Sequence, residues 1–195
     1  MEYKYKVVFI SLICIISLSL VGCSSDSDSD TDISDNLVWN TFSNDYVEFK
    51  YPSKWNQTSN DTFDSNDDGI KDEFIVQFEN QEANSGVEVD LTLTKEGSSY
   101  PPFSSKQGFY DYIEGEMENS PDDVNVEVNK RITFNGYPAY KAIYTFTNND
   151  EIKVKEHIIL VYKNTFIQEI FYIAKDGNYT QALADEIIHS LQFNR

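Results

Sequence analysis

Asp64-Ser65-Asn66-Asp67-Asp68-Gly69-Ile70-Lys71-Asp72 is the segment of this chain whose residue types and spacing carry a chemical pattern. Oxygen-bearing side chains recur at alternate positions, as Asp64, Asn66 and Asp68, and a glycine follows. When such a chain curls, those oxygens converge on one point. Gly69 permits the sharp turn, the backbone carbonyl of Ile70 adds an oxygen, and Asp72 adds another directly or through water. This is the front half of a loop for Ca2+, a hard cation that takes about six to eight oxygen ligands. The sequence therefore predicts a metal site made of Asp64, Asn66, Asp68, Ile70 and Asp72. A helical calcium hand would close with a bidentate glutamate, but Ile75 stands at that place, and Phe74-Ile75-Val76-Gln77-Phe78 reads as a strand. Glu73 supplies a further oxygen if the register shifts. Affinity in the extracellular range of about 0.1–1 mM is expected for so open a ligand set. The same residue types also make a plain acidic Asp-Gly turn.

Other chemistry is sparse. His157 and His189 are the two histidines. His157 lies among Lys153, Lys155 and Glu156, and His189 follows Asp185 by one helical turn, so both read as exposed or hydrogen-bonded rather than catalytic. The chain has no Gly-x-Ser-x-Gly elbow, no His-Glu-x-x-His helix and no phosphate-cradling glycine loop. No catalytic residue and no further cofactor is predicted. Carboxylates are plentiful, which leaves a glycan hydrolase working through an Asp/Glu pair as the alternative function. Asn56-Gln57-Thr58, Asn60-Asp61-Thr62 and Asn178-Tyr179-Thr180 have the form of glycosylation sequons.

The N-terminus predicts where the loop would work. Lys4 and Lys6 precede an apolar run from Val7 to Val21, which ends in Gly22-Cys23. A span needs about 20 apolar residues, so this shorter run reads as a signal peptide over 1–22, with Cys23 lipidated after cleavage. Two or more acyl chains on one sulphur hold a protein on a membrane, where a single chain does so only marginally. The chain contains two cysteines. Cys14 leaves with the signal and Cys23 carries lipid, so a disulfide framework and a cysteine nucleophile are excluded from the mature protein.

Residues 23–36 are a Ser/Asp tether too polar and too acidic to bury apolar surface. With 33 Asp and Glu against 15 Lys and Arg, the formal net charge is −18. That charge repels nucleic acid, which is excluded as a partner. The expected partners are the membrane, through Cys23, and a protein.

The elements that must position the loop lie in one domain over 37–195. The chain holds 13 Tyr and 13 Phe, a composition that suits a sheet-rich core. Val47-Phe49-Tyr51, Val87-Val89-Leu91-Leu93 and Val124-Val126-Val128 alternate with polar residues, as strands with one buried face do. Further strands are predicted at 139–147, 152–162 and 166–174. Their connections, Asn135-Gly136, Asn148-Asn149-Asp150 and Lys163-Asn164, are short and imply antiparallel neighbours. Ile158–Tyr162 is continuously apolar and reads as a strand covered on both faces. Helices are predicted at about 106–119, with Ser104 and Gln107 at capping-box spacing, and at about 179–191, with Asn178 as the cap. Their apolar stripes are Phe109-Tyr112-Ile113-Met117 and Tyr179-Leu183-Ile187-Ile188-Leu191.

Three pieces of local wording, in order, resemble the PsbP-like family. They are Tyr46-Val47-Glu48-Phe49-Lys50-Tyr51-Pro52-Ser53-Lys54-Trp55, Asn135-Gly136-Tyr137-Pro138-Ala139-Tyr140 and Ile187-Ile188-His189-Ser190-Leu191-Gln192-Phe193. The resemblance spans about 38–193. It implies an α+β fold, an α/β/α sandwich whose central, mainly antiparallel sheet of six or more strands has helices packed on it. The family includes accessory proteins of the photosynthetic oxygen-evolving complex and many prokaryotic lipoproteins, and it lacks a shared catalytic residue set. Fold alone does not fix function. The sequence reading is a non-enzymatic binding or assembly module on the outer face of the cell membrane. A solute-binding lipoprotein is a third reading, for which the chain is small.

Overall fold

A computed structural model describes residues 37–64, 69–80, 84–93, 104–121, 123–148, 151–175 and 178–194. In chain order the elements are β1 (Trp39–Ser43), β2 (Val47–Pro52), β3 (Asn56–Phe63), β4 (Glu73–Asn80), β5 (Ser85–Thr92), α1 (Lys106–Glu118), β6 (Asn125–Phe134), β7 (Tyr137–Thr147), β8 (Lys153–Lys163), β9 (Phe166–Lys175), α2 (Gln181–Ser190) and β10 (Gln192–Phe193). Among the described residues no helix is long and apolar enough to cross a membrane.

The strands form two sheets. A seven-stranded sheet runs in the order β3-β4-β5-β9-β8-β7-β6, and a small one in the order β1-β2-β10. Every pairing in both is antiparallel. The expected sheet of six or more strands is present. Short turns impose its direction. Asn135 and Gly136 sit at φ +49° and +83°, and Asn164 and Thr165 at +55° and +72°, the doubly left-handed geometry that suits a two-residue hairpin. The β8–β9 turn thus lies one residue later than Lys163-Asn164 suggests.

The main core fills the space between one face of the large sheet and a layer made of the small sheet and α2. Phe74, Val76 and Phe78 of β4, Val87, Val89 and Leu91 of β5, and Ile170 and Tyr172 of β9 meet Val47 and Phe49 of β2 and Ile187 and Ile188 of α2. Aromatic rings tie the two sheets together. The Phe78 ring stands 5.5 Å from Phe42, 5.7 Å from Phe49 and 4.0 Å from Tyr51. The end of α2 is fastened to both sheets: Lys50 N of β2 donates to Ser190 Oγ at 2.8 Å, and the Asn135 side chain, in the turn between β6 and β7, donates to Leu191 O at 2.6 Å. This covering layer is therefore a sheet and a helix together, because β1, β2 and β10 do not join the large sheet.

The opposite face carries α1. Its buried residues are Phe109, Tyr110, Ile113 and Met117, and the Phe109 ring stacks on Tyr162 of β8 at 5.5 Å. Tyr110 takes the place expected of Tyr112, which is only half-buried. The helix is capped by Ser105, whose hydroxyl accepts from Gly108 N at 3.0 Å, rather than by Ser104. Likewise α2 starts after Thr180, not Asn178, and its N-cap side chain makes no capping bond.

Candidate functional site

The predicted calcium loop is the connection of the β3–β4 hairpin. Phe63 pairs with Glu73, so Asp64 and Asp72 enter and leave the loop side by side. The Asp72 amide donates to Phe63 O at 2.9 Å and closes the mouth. Gly69 has φ +89°, a conformation that costs glycine little and other residues much. The Asp64 carboxylate folds back across the loop and accepts from the Gly69 amide at 2.5 Å. Asp72 is fully buried, and its carbonyl accepts from Leu93 N at 2.7 Å, which anchors the base of the loop to the strap after β5. Asn66 and Asp68, two of the five expected ligands, lie outside the described residues, as does Cys23. Asp64, Ile70 and Asp72 are therefore the expected ligands that the fold places, all at one hairpin end. Among the described residues no cluster of three His, Cys, Asp or Glu groups is disposed to hold a metal.

A second cluster escaped the sequence reading. On the α1 face of the large sheet, Asp90 of β5 lies directly opposite Glu169 of β9. Glu88 is two residues along on the same face of β5, and Glu156 of β8 faces Ile173 of β9. Directly opposed side chains in a sheet have Cβ atoms roughly 4.5–5.5 Å apart. Glu88, Glu156 and Glu169 are buried, and Asp90 nearly so.

Burial disfavours their charged forms. It pushes Glu88 up to about 7, with the charge of Glu79 adding to the rise. It raises Asp90 well above the usual carboxylate range, with Glu169, Glu73 and Glu88 all contributing repulsion. It lifts Glu156 to about 8, although a hydrogen bond with Tyr144 opposes the shift. Near neutrality Glu156 therefore holds its proton, and Glu88 holds one part of the time. The alternation Val87-Glu88-Val89-Asp90-Leu91 did mark the two faces, but polar residues alone gave no sign that their face is covered.

His157 is fully buried on the other face, opposite Tyr172. Its Nδ1 is 3.4 Å from the Tyr179 hydroxyl, and its Nε2 has no hydrogen-bond partner among the described residues. Burial, and then the nearby Lys141 charge, lower it to about 4, so it stays neutral. The expected hydrogen-bonded histidine is thus a core residue. His189 is exposed. Asn56, Asn60 and Asn178 of the three sequons are exposed, and the first two lie on β3, the polar edge strand.

This architecture is similar to several solved structures. Against the solution structure of cyanobacterial PsbP (CyanoP) from Synechocystis sp. PCC 6803 the identity is 12%, with 85% of this chain and 98% of that one covered and a TM-score of 0.50. Against LpqN of Mycobacterium tuberculosis, described as involved in cell envelope biogenesis, the identity is 12%, the coverage 76% and 83%, and the TM-score 0.46. A protein from Bacteroides thetaiotaomicron VPI-5482 gives 15% identity over 76% of this chain at a TM-score of 0.44, and this chain spans 45% of its length. No curated protein matches the sequence. The model of the PsbP-like protein family matches residues 7–193, nearly the whole length, and the chain belongs to that family.

Proposed function

We propose that this protein is a non-enzymatic binding or assembly module held on the outer face of the cell membrane by lipid on Cys23. The Asp64–Asp72 loop binds Ca2+ there and is ordered by it. The single observation that carries the calcium reading is the curl at the β3–β4 mouth. Asp64 and Asp72 stand side by side, Gly69 is left-handed, and the Asp64 carboxylate reaches across to the Gly69 amide. Loop ends held together in this way lessen the conformational entropy that the rest of the loop loses when an ion binds. Family membership supports the non-catalytic role. The Ser/Asp tether supports presentation of the domain away from the membrane, to a protein partner.

Calorimetric titration of the protein with calcium tests the loop, alongside an Asp64→Ala, Asp68→Ala double variant. Heat in the parent and none in the variant is the expected result. Equal heats in both, or none in either, would remove the site. Anchoring is tested separately with Cys23→Ala, which is expected to leave the membrane fraction.

The Asp90–Glu169 pair favours one second reading, glycan hydrolysis, because two carboxyls at directly opposed positions are what acid–base chemistry on a sugar uses. Its burial within the sheet face weighs against that reading, since a sugar must reach both groups. Release of reducing ends from cell-wall glycan, abolished in Asp90→Asn, would establish the hydrolase over the binding module.

A further inference from the structure

Two lysines of this acidic chain meet at one cavity. At the end of the large sheet nearest the Asp64–Asp72 loop lies a cavity of about 280 Å3, with Tyr46, Lys71, Thr92, Lys163, Asn164 and Gln168 in its wall. Its described lining includes two lysines and no carboxylate, in a chain with 33 Asp and Glu. The fold sorts the charges this way. The even-numbered carboxyls of β5 point to the α1 face, whereas Leu91, Gln168 and Lys163 belong to the core face.

Lys163 is the unusual member. It is 8% exposed, and among the described residues it makes no ion pair. Its ammonium lies over the rings of Phe193 at 4.6 Å and Tyr137 at 5.8 Å. Ring faces compensate part of a cation's lost hydration, and an ammonium partly withdrawn from water, with no counter-charge among the described residues, still costs free energy. Burial accordingly lowers its proton affinity. An anion in the cavity would remove that cost.

The polar wall is fixed as well. Gln168 is buried, and its side-chain amide donates to Thr92 O at 3.3 Å, while the Thr92 hydroxyl donates to Ile167 O at 3.3 Å. One hydrogen of the Gln168 amide is engaged in that bond, and an amide group carries two. Lys71 reaches in from the loop, held by donation to Thr62 O at 2.7 Å.

We propose that this cavity is a binding site for a small organic carboxylate, with Lys163 as the inner counter-charge, Lys71 as the outer one, and Gln168 and Thr92 shaping the polar wall. The volume suits a molecule the size of a di- or tricarboxylic acid and lies just below the range of ordinary ligand pockets, about 300–1,000 Å3. The inference does not rest on calcium, and its test is run in chelator.

The experiment is calorimetric titration of the full-length protein in detergent with succinate and citrate at constant ionic strength. Inorganic phosphate and sodium chloride serve as comparison anions. The expected result is saturable heat with at least one carboxylate and a tenfold or greater loss of affinity in Lys163→Met. Lys163→Arg is expected to retain binding, and so is Lys130→Met, at an exposed lysine of β6. Lys71→Met changes an exposed residue and keeps the test valid if Lys163→Met fails to fold. It is expected to weaken binding severalfold. The proposal is overturned if no carboxylate binds, if chloride gives the same response, if phosphate alone saturates, or if folded Lys163→Met and Lys71→Met both bind like the parent.

Discussion

The two faces of the large sheet are built from the same strands and reach burial by opposite means. The face under the small sheet and α2 is filled by aromatic and branched side chains, with Phe74, Phe78, Val89 and Ile170 almost fully buried. The face that carries α1 buries Ile158 and Phe171 beside Glu88, Glu156 and Glu169. Apolar groups are stabilised on leaving water, by about 25 cal/mol per Å2. Carboxyls leaving water must take up a proton or find a partner. The first face therefore has a stability nearly independent of pH, apart from His157, while the second is set by proton binding. One sheet thus combines a rigid side with a titratable one.

The largest effect belongs to the apolar face. Phe78→Ala removes a ring, 1% exposed, that touches three others. It is expected to lower stability by about 3–5 kcal/mol in urea unfolding, equally at pH 5 and pH 8. A loss that differed strongly between the two would break the contrast.

The carboxyl face gives the next effect, with the opposite sign. Unfolded glutamate releases its proton near 4.5, whereas folded Glu88 and Glu156 hold theirs to about 7 and about 8. Between these values the folded chain binds more protons than the unfolded one, so stability falls as pH rises. The decline begins near 4.5 and is complete above about 8. Gln at both positions preserves shape and keeps an acceptor for Tyr144, but does not titrate. Glu88→Gln, Glu156→Gln is expected to be more stable than the parent at pH 9 and equal to it at pH 4, because the glutamine side chains leave no charge to be buried. Equal stability at pH 9 would show these groups to be ionised and compensated.

These two faces also mark how far the sequence could be read. Period-two alternation identified β2 and β5, and the continuous apolar run identified β8 as a strand covered on both sides, because side-chain direction in a strand is a local property. The turn at Asn135-Gly136 was legible for the same reason. The edge strand Asn56–Phe63 was not. Its residues are almost all polar, and the β4 ladder and a bulge between Gln57 and Ser59, rather than any apolar face, hold it in place. Strand β1 and the two-residue β10 depend on tertiary pairing with β2, which no local pattern encodes. The acidic loop Asp64–Asp72 was legible as a motif because its residues are contiguous. The carboxyl cluster draws on β5, β8 and β9, far apart in sequence, and the lysine cavity on five separate segments, so each exists only once the strand order is known.

His157 gives a smaller effect and sharpens the contrast from the apolar side. Unfolded histidine protonates near 6.5, but folded His157 only near 4. Within that window the unfolded chain binds the extra proton, so stability falls as pH drops from about 6.5 to about 4. His157→Gln is expected to flatten this acid limb by about 3 kcal/mol over the whole window, at about 1.4 kcal/mol per pH unit. Proton NMR of the His157 ring checks the cause: its resonance should stay unshifted down to pH 5.

The smallest effect lies at the rim, where the charged groups remain in water. Lys155 Nζ is 2.6 Å from Glu127 Oε2, with side-chain exposures of 20% and 36%, and the Thr145 hydroxyl donates to Glu127 Oε1 at 2.9 Å. Lys155 also lies 4.9 Å from the centre of the Tyr179 ring, so removing its counter-charge does not leave it without stabilisation. Water solvates both partners, and half-exposed pairs of this kind contribute under about 1 kcal/mol. Glu127→Gln keeps the acceptor for Thr145 and removes only the charge, so its cost should be below that figure and should vanish in 1 M salt, where screening acts over about 3 Å. A cost above about 2 kcal/mol that persists in salt would place Glu127 with the buried carboxyls, and the division between a proton-controlled face and a solvated rim would have to be redrawn around β6.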